Sequence, residues 1–292
     1  MNPHRKSFSK YLFGIALLLG GASASLAQVS MGKASTFAVL SAAPAGGGAV
    51  TCTTSTVNGD VGSSGAPASV VQTLCTINGA VVAPVSAQVL ADFNSAYDGY
   101  AGIACTGTLA TAYTGATLTL APGVYCSAAA VTFTDTVLTL DGQGNPNAVW
   151  IFKIGTGGTG ALTGTNFSVT MAGAAQSCNV YWWVAEAATM TTSSFQGTIL
   201  AGAAITVTGL AGNTTPFNGN ALAKAAVTLT DVTVNGCAAT RGGGASKSKC
   251  NQGVGNGPEA CDPGNSNQGN PFRSNDELGG LPGSPGRKGG NK

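Results

Sequence analysis

The chain has 292 residues, only 8% of them charged, and a formal net charge of +2 at pH 7. Between Gln28 and Thr240 the basic residues are Lys33, Lys153 and Lys224 alone, against seven acidic ones. Nucleic-acid binding needs clustered Lys and Arg, so that class is excluded, and so neutral a surface suits an uncharged partner.

The first residues read as an address. Arg5, Lys6 and Lys10 give a positive start, Tyr11 to Leu19 an apolar run, and Ser25-Leu26-Ala27 a small-x-small ending. This predicts a secretory signal over 1–27, cut between Ala27 and Gln28. Its apolar run is too short to span a bilayer. No later segment holds about 20 unbroken apolar residues, so a secreted protein free of the membrane after cleavage is expected.

From Gln28 to about Val82 short strand-like pieces (Phe37–Leu40, Val57–Val61, Thr76–Gly79) alternate with Gly, Pro and Ser turns. Pro84 to Ala104 differs. Val85, Val89, Phe93, Ala96, Tyr100 and Ile103 recur at helical spacing, predicting one amphipathic helix opened near Pro84 and weakened by Gly99 and Gly102. Its apolar stripe should pack along a β surface.

From Leu109 to Val234 short β runs return: Ala148–Ile154, Ser168–Met171, Val180–Val184, Thr198–Leu200, Ala204–Thr208, Asn220–Ala223 and Ala226–Thr230. Val180–Val184, Thr198–Leu200 and Asn220–Ala223 recur at the spacing of a solenoid coil with three short strands per turn. A β-sandwich is the rival, because the Asn-Gly pairs at Asn58, Asn78, Asn218 and Asn235 suit hairpin turns as well as solenoid corners. Residues 28–240 form the expected domain. The Gly/Asn/Pro-rich residues 241–292 bury too little to offset ordering and are expected to be a disordered tail.

All eight cysteines follow the signal, an even number that argues for disulfides in an oxidising compartment. Pairing in chain order gives Cys52–Cys75, Cys105–Cys126, Cys178–Cys237 and Cys250–Cys261. No Cys-x-x-Cys pair points to a metal.

Thr-x-Thr is the strongest motif, at Thr117-Leu118-Thr119, Thr132-Phe133-Thr134, Thr163-Gly164-Thr165, Thr189-Met190-Thr191, Thr206-Val207-Thr208 and Thr228-Leu229-Thr230. In a strand the two threonines point one way, about 6.5–7 Å apart, and stacked coils lie about 4.7–4.9 Å apart. If the last four motifs stack, Thr163, Thr165, Thr189, Thr191, Thr206, Thr208, Thr228 and Thr230 make a flat grid. Each offers a hydroxyl beside a methyl on a stiff χ1, a surface able to hold first-layer water in a repeating arrangement.

Catalysis has little to work with. His4 is the one histidine and leaves with the signal, and Arg is absent from Gln28 to Thr240. The acidic residues Asp60, Asp92, Asp98, Asp135, Asp141, Glu186 and Asp231 are scattered, although a glycosidase pair could still meet in space. A non-enzyme without cofactor is expected. Gly155-Thr156-Gly157-Gly158-Thr159-Gly160 matches a dinucleotide-binding spelling, but strand-like sequence follows it where a helix is required, so it reads as a flexible corner. Asp141 to Asn147 reads as a turn, lacking the carboxylate ladder of a calcium loop. Asn166-Phe167-Ser168 and Asn213-Thr214-Thr215 spell glycosylation sequons.

Several segments resemble the microbial ice-binding family often called DUF3494. They are Gly32–Leu40, Asn58-Gly59-Asp60-Val61-Gly62, Leu120-Ala121-Pro122-Gly123-Val124-Tyr125, Leu140–Phe152, Cys178–Val184 and Asn220–Leu229, covering roughly 30 to 237. The resemblance implies a mostly β fold: a discontinuous right-handed β-solenoid of roughly triangular section, with one long α-helix packed alongside. It also implies ice binding through one flat, irregular face, without cofactor or catalysis; a monomer is expected. The family has no invariant ice-binding motif, so the threonine grid is this sequence's own candidate. An adhesive exoprotein that binds a surface or glycan stays the alternative, and a polysaccharide-cleaving β-helix the third reading.

Overall fold

In a computed structural model, residues 29–212 and 215–238 are described. The expected signal (1–27), tail (241–292), Cys250–Cys261 bond and Asn213 sequon lie outside these residues.

Every strand pairing among the described residues is parallel, which settles the Asn-Gly question in favour of corners. The strands form a three-faced solenoid. One coil runs Val180–Val184, Ala188–Thr191, Phe195–Gln196, and the next Thr198–Ala201, Ile205–Thr208, Thr215–Asn218. The third is Ala221–Ala223, Val227–Thr230, Val232–Asn235. The first face is a nine-stranded sheet and the second an eight-stranded one. The third consists of five- and three-stranded sheets joined by a Ser168–Ser194 bridge.

The stacking is discontinuous. Phe37–Ser41, Val50–Thr53 and Thr56–Asn58, early in the chain, stack on the last coil, against Ala221–Ala223, Val227–Thr230 and Val232–Asn235. This seam is latched at each corner. Ser41 Oγ donates to Ala225 O (2.7 Å), Thr54 Oγ1 to Asp231 Oδ1 (2.6 Å) and Asn58 Nδ2 to Asn235 Oδ1 (2.7 Å). The expected piece Val57–Val61 is broken at Gly59 (φ 141°), where the chain turns from the third face to the first.

The Asn-Gly corners have a physical reason. Asn78 donates to Asn58, Asn58 to Asn235 and Asn235 to Asn218, an amide ladder up the stack. The following glycines sit where coils touch: at Gly219 (φ 155°) a Cβ would lie 1.9 Å from Gly197 O. Helix α1 spans Ala87–Gly102, shorter than the expected 84–104. Ser86, not Pro84, opens it, its Oγ accepting from the Val89 N–H (3.4 Å), so Pro84 stays outside.

Between the faces lies a continuous apolar core. Trp182 stacks on Phe152 at 3.9 Å, and Phe133 stacks between Tyr113 (5.0 Å) and Phe167 (4.3 Å). A second cluster joins α1 to the first face, burying Val89, Phe93, Ala96, Tyr97 and Tyr100 against Ile151, Tyr181, Trp183, Leu200 and Leu222. Two of the three basic side chains among the described residues, Lys153 and Lys224, serve this junction. Lys153, 4% exposed, donates from Nζ to Ala101 O (2.7 Å) and Ile103 O (2.5 Å) at the helix C-terminus, where a cation suits the helix dipole. Lys224 Nζ lies 3.9 Å from the centre of the Tyr97 ring.

Burial, and secondarily Asp98, pushes the Tyr97 hydroxyl up to about 12, and that hydroxyl donates to Val184 O (3.1 Å). Since the folded value lies above the unfolded one of about 10, Tyr97's contribution is complete below about pH 10 and is lost as pH rises through about 12. Burial lowers Lys153 from 10.5, which acts in the opposite direction below that value. The net loss should therefore appear above about pH 10.5. Thermal midpoints should fall there, and Tyr97→Phe should flatten the fall; an equally steep fall in that variant would remove Tyr97 as the cause.

Candidate functional site

The second face is built by alternation. Strands of the pattern Val-Thr-Leu-Thr bury their first and third residues and turn the threonines outward, where they stay half-buried. β-Branched residues suit such a half-buried pleat. The strand order across the face is Val70–Thr73, Val50–Thr53, Val227–Thr230, Ile205–Thr208, Ala188–Thr191, Leu162–Thr165, Val131–Thr134, Ala112–Thr114.

The pairings hold one register throughout, so the outward residues fall into two columns. One is Val71, Thr51, Thr228, Thr206, Thr189, Thr163, Thr132, Ala112. The other is Thr73, Thr53, Thr230, Thr208, Thr191, Thr165, Thr134, Thr114, threonine on every strand. No outward residue on these strands is charged. All eight threonines expected from the sequence lie in adjacent rows of this lattice. Thr132 and Thr134 extend it on one side and Thr51 and Thr53 on the other. Thr117 and Thr119, spelled the same way, stand on the third face instead.

Two features keep the lattice regular. Beneath it, Gly164 and Met190 are matched in volume: a Cβ at Gly164 would lie 2.7 Å from Met190 Sδ, so the long thioether occupies the room the glycine leaves. Beside it, six of the eight strands end at a left-handed corner formed by a residue other than glycine. Thr54, Leu74, Asp135, Asn166, Thr192 and Asp231 all have φ between 46° and 52°. Non-glycine residues are uncommon there, and at all of these corners but the exposed Leu74 a side-chain hydrogen bond joins one corner to the next. Asn166 Nδ2 donates to Asp135 Oδ1 (3.0 Å), Thr192 Oγ1 donates to Asn166 Oδ1, and Thr54 bonds Asp231 across the seam. The Asn166 sequon thus falls on a corner whose amide is already engaged.

Disulfides staple the stack. Cys52, between Thr51 and Thr53, bonds Cys75; Cys105 bonds Cys126; Cys178 bonds Cys237, as chain order predicts. The glycine-rich 155–160 segment is a corner followed by the strand Leu162–Thr165, with positive φ at Gly155, Gly158 and Gly160. Asp141 to Asn147 folds as a turn on its own side chains, Gln143 N–H donating to Asp141 Oδ1 (2.9 Å) and Asn147 N–H to Asn145 Oδ1 (2.9 Å).

Fold and surface define a class: a helix-buttressed parallel β-solenoid with one helix-covered face and an uncharged threonine lattice on another. The chain belongs to the Ice-binding-like family, whose model matches residues 44–235. It is 35% identical over 190 residues to an ice-binding protein of Nostoc sp. (strain HG1), covering 63% of this chain and 66% of that protein. It is 38% identical over 91 residues to ice-binding protein 1 of Shewanella frigidimarina, covering 31% of this chain and 10% of that one. Among solved structures, the ice-binding protein of the Antarctic ascomycete Antarctomyces psychrotrophicus matches with 31% identity and a TM-score of 0.60. That match covers 71% of this chain and 98% of the fungal one. The chain thus spans about two thirds of the Nostoc relative and a tenth of the Shewanella one.

Proposed function

We propose that this protein is a non-catalytic ice-binding, antifreeze-type protein that adsorbs to ice through the threonine lattice and so stops crystal growth and recrystallisation. The observation that carries this reading is the unbroken register of threonine pairs from Thr51 and Thr53 through Thr132 and Thr134. Thr163, Thr165, Thr189, Thr191, Thr206, Thr208, Thr228 and Thr230 form its centre.

Ice is an uncharged partner with a repeating array of oxygens. A matching surface needs repeating hydroxyls to hold the first water layer, methyls to order it, and no charge to draw water into other arrangements. The lattice has all three. The contact needs no cofactor and no second protein copy, so the protein acts as a monomer. The closed disulfides suit an extracellular setting, with residues 1–27 as the export signal and 28–240 as the working domain. An exported chain starting at Gln28, read by mass, tests that assignment.

The test of function is ice-affinity partitioning and recrystallisation inhibition by the purified protein. It should enter growing ice and halt grain coarsening at low concentration. Exclusion from ice together with retention on a polysaccharide column would replace this reading by the adhesive one.

A further inference from the structure

A second ordered hydroxyl facet stands on the third face. Thr117–Leu120, Val137–Asp141 and Ser168–Ala172 stack in register, aligning Thr119, Thr139 and Thr170 in one column and Thr117, Val137 and Ser168 in the next. Leu118, Leu138 and Val169 point inward between them, and Leu138 and Val169 are buried. Thr139 Oγ1 and Thr170 Oγ1 are hydrogen-bonded at 2.9 Å, so these two side chains of the column hold one another in place. The one carboxylate on these strands, Asp141, sits at a strand end and accepts from the Gln143 N–H.

This facet is continuous with the main lattice. The chain passes from Thr134 to Val137 through Asp135 and Thr136, from Thr165 to Ser168 through Asn166 and Phe167, and from Thr114 to Thr117 through Gly115 and Ala116. Two hydroxyl surfaces therefore meet along one solenoid edge, at an angle. The rest of the third face differs: its asparagine amides are engaged with one another, and its short column of Thr76, Thr56 and Thr233 ends at Pro216.

We propose that this facet is a second ice contact, so that one molecule engages two differently oriented ice planes. The inference rests on the ice-binding reading of the main lattice. Ice is the occupant the chemistry favours over a glycan, because no aromatic side chain points outward on the facet to stack a sugar ring.

The test uses fluorescently labelled full-length protein on single-crystal ice hemispheres, with Thr139→Tyr on the facet and Thr191→Tyr on the lattice. Thr119→Tyr serves as a second facet variant, and thermal midpoints check the fold. The parent should label two sets of planes. Thr139→Tyr and Thr119→Tyr should lose one set and keep the other, and Thr191→Tyr should do the converse. If both facet variants label as the parent does while Thr191→Tyr erases labelling, the second contact is overturned and the main one stands. If the parent labels no plane, the ice-binding reading fails and this inference with it.

Discussion

Thr191→Tyr is expected to remove most of the ice-growth inhibition while leaving the fold intact. Thr191 stands in the unbroken threonine column, in register between Thr165 and Thr208. A phenol ring there projects beyond its neighbours and holds the surrounding rows off a flat crystal. Loss of a central contact worth about 1.4 kcal/mol already means about tenfold weaker adsorption, and a ring that separates several rows removes more. Tyr suits an outward strand position, so the thermal midpoint should barely move. Thr208→Tyr should behave alike. Thr191→Val keeps the volume and a methyl but loses the hydroxyl, and should fall between parent and Tyr variant. Unchanged thermal hysteresis in both Tyr variants would move the ice contact to another face.

The centre of this surface was legible because a strand repeats every two residues, and Thr-x-Thr with an apolar middle residue is what a half-buried strand requires. Its extent was not. Thr51-Cys52-Thr53 carries the same spelling with a cysteine between, and it joins the lattice only because an early strand stacks on the last coil. That pairing links residues far apart in the chain, and no local pattern encodes it. The identical spelling at Thr117-Leu118-Thr119 goes to another face, since alternation says which residues point outward but not from which side of a triangle. The corners hid for a different reason. Left-handed backbone is usually sought at glycine, whereas Thr54, Asp135, Asn166, Thr192 and Asp231 adopt it here, and for each a side-chain bond to a neighbouring coil accompanies it. Helix α1 was visible from its apolar spacing. Tyr97 was missed because it lies beside the main stripe, yet it is buried against Trp183, ring centres 5.3 Å apart.

Trp182→Ala should be the most damaging single core change, and it separates stability from ice contact. The indole is fully buried, stacked on Phe152 at 3.9 Å and set edge-on to Phe133 (6.4 Å) and Phe167 (6.2 Å). Its Nε1 donates to Gln196 O (3.0 Å), tying the first face to the third. Truncation leaves a large cavity and one acceptor without its donor, a loss of about 3–5 kcal/mol. Against a domain stability of about 5–15 kcal/mol, that is a large share. The thermal midpoint should drop by roughly 10 °C, measured against Trp182→Phe, which keeps part of the stacking. The lattice should suffer as well, because Phe133 lies directly under Thr132 and Thr134, and a cavity behind it lets that row sink. Ice activity and stability should therefore fall together in Trp182→Ala, whereas Thr191→Tyr loses activity alone. A Trp182→Ala protein as stable as its parent would mean that the core carries less of the fold than its packing implies. Full ice activity in a destabilised variant would mean instead that the corner ladders and the Cys52–Cys75 staple hold the surface flat without support from beneath.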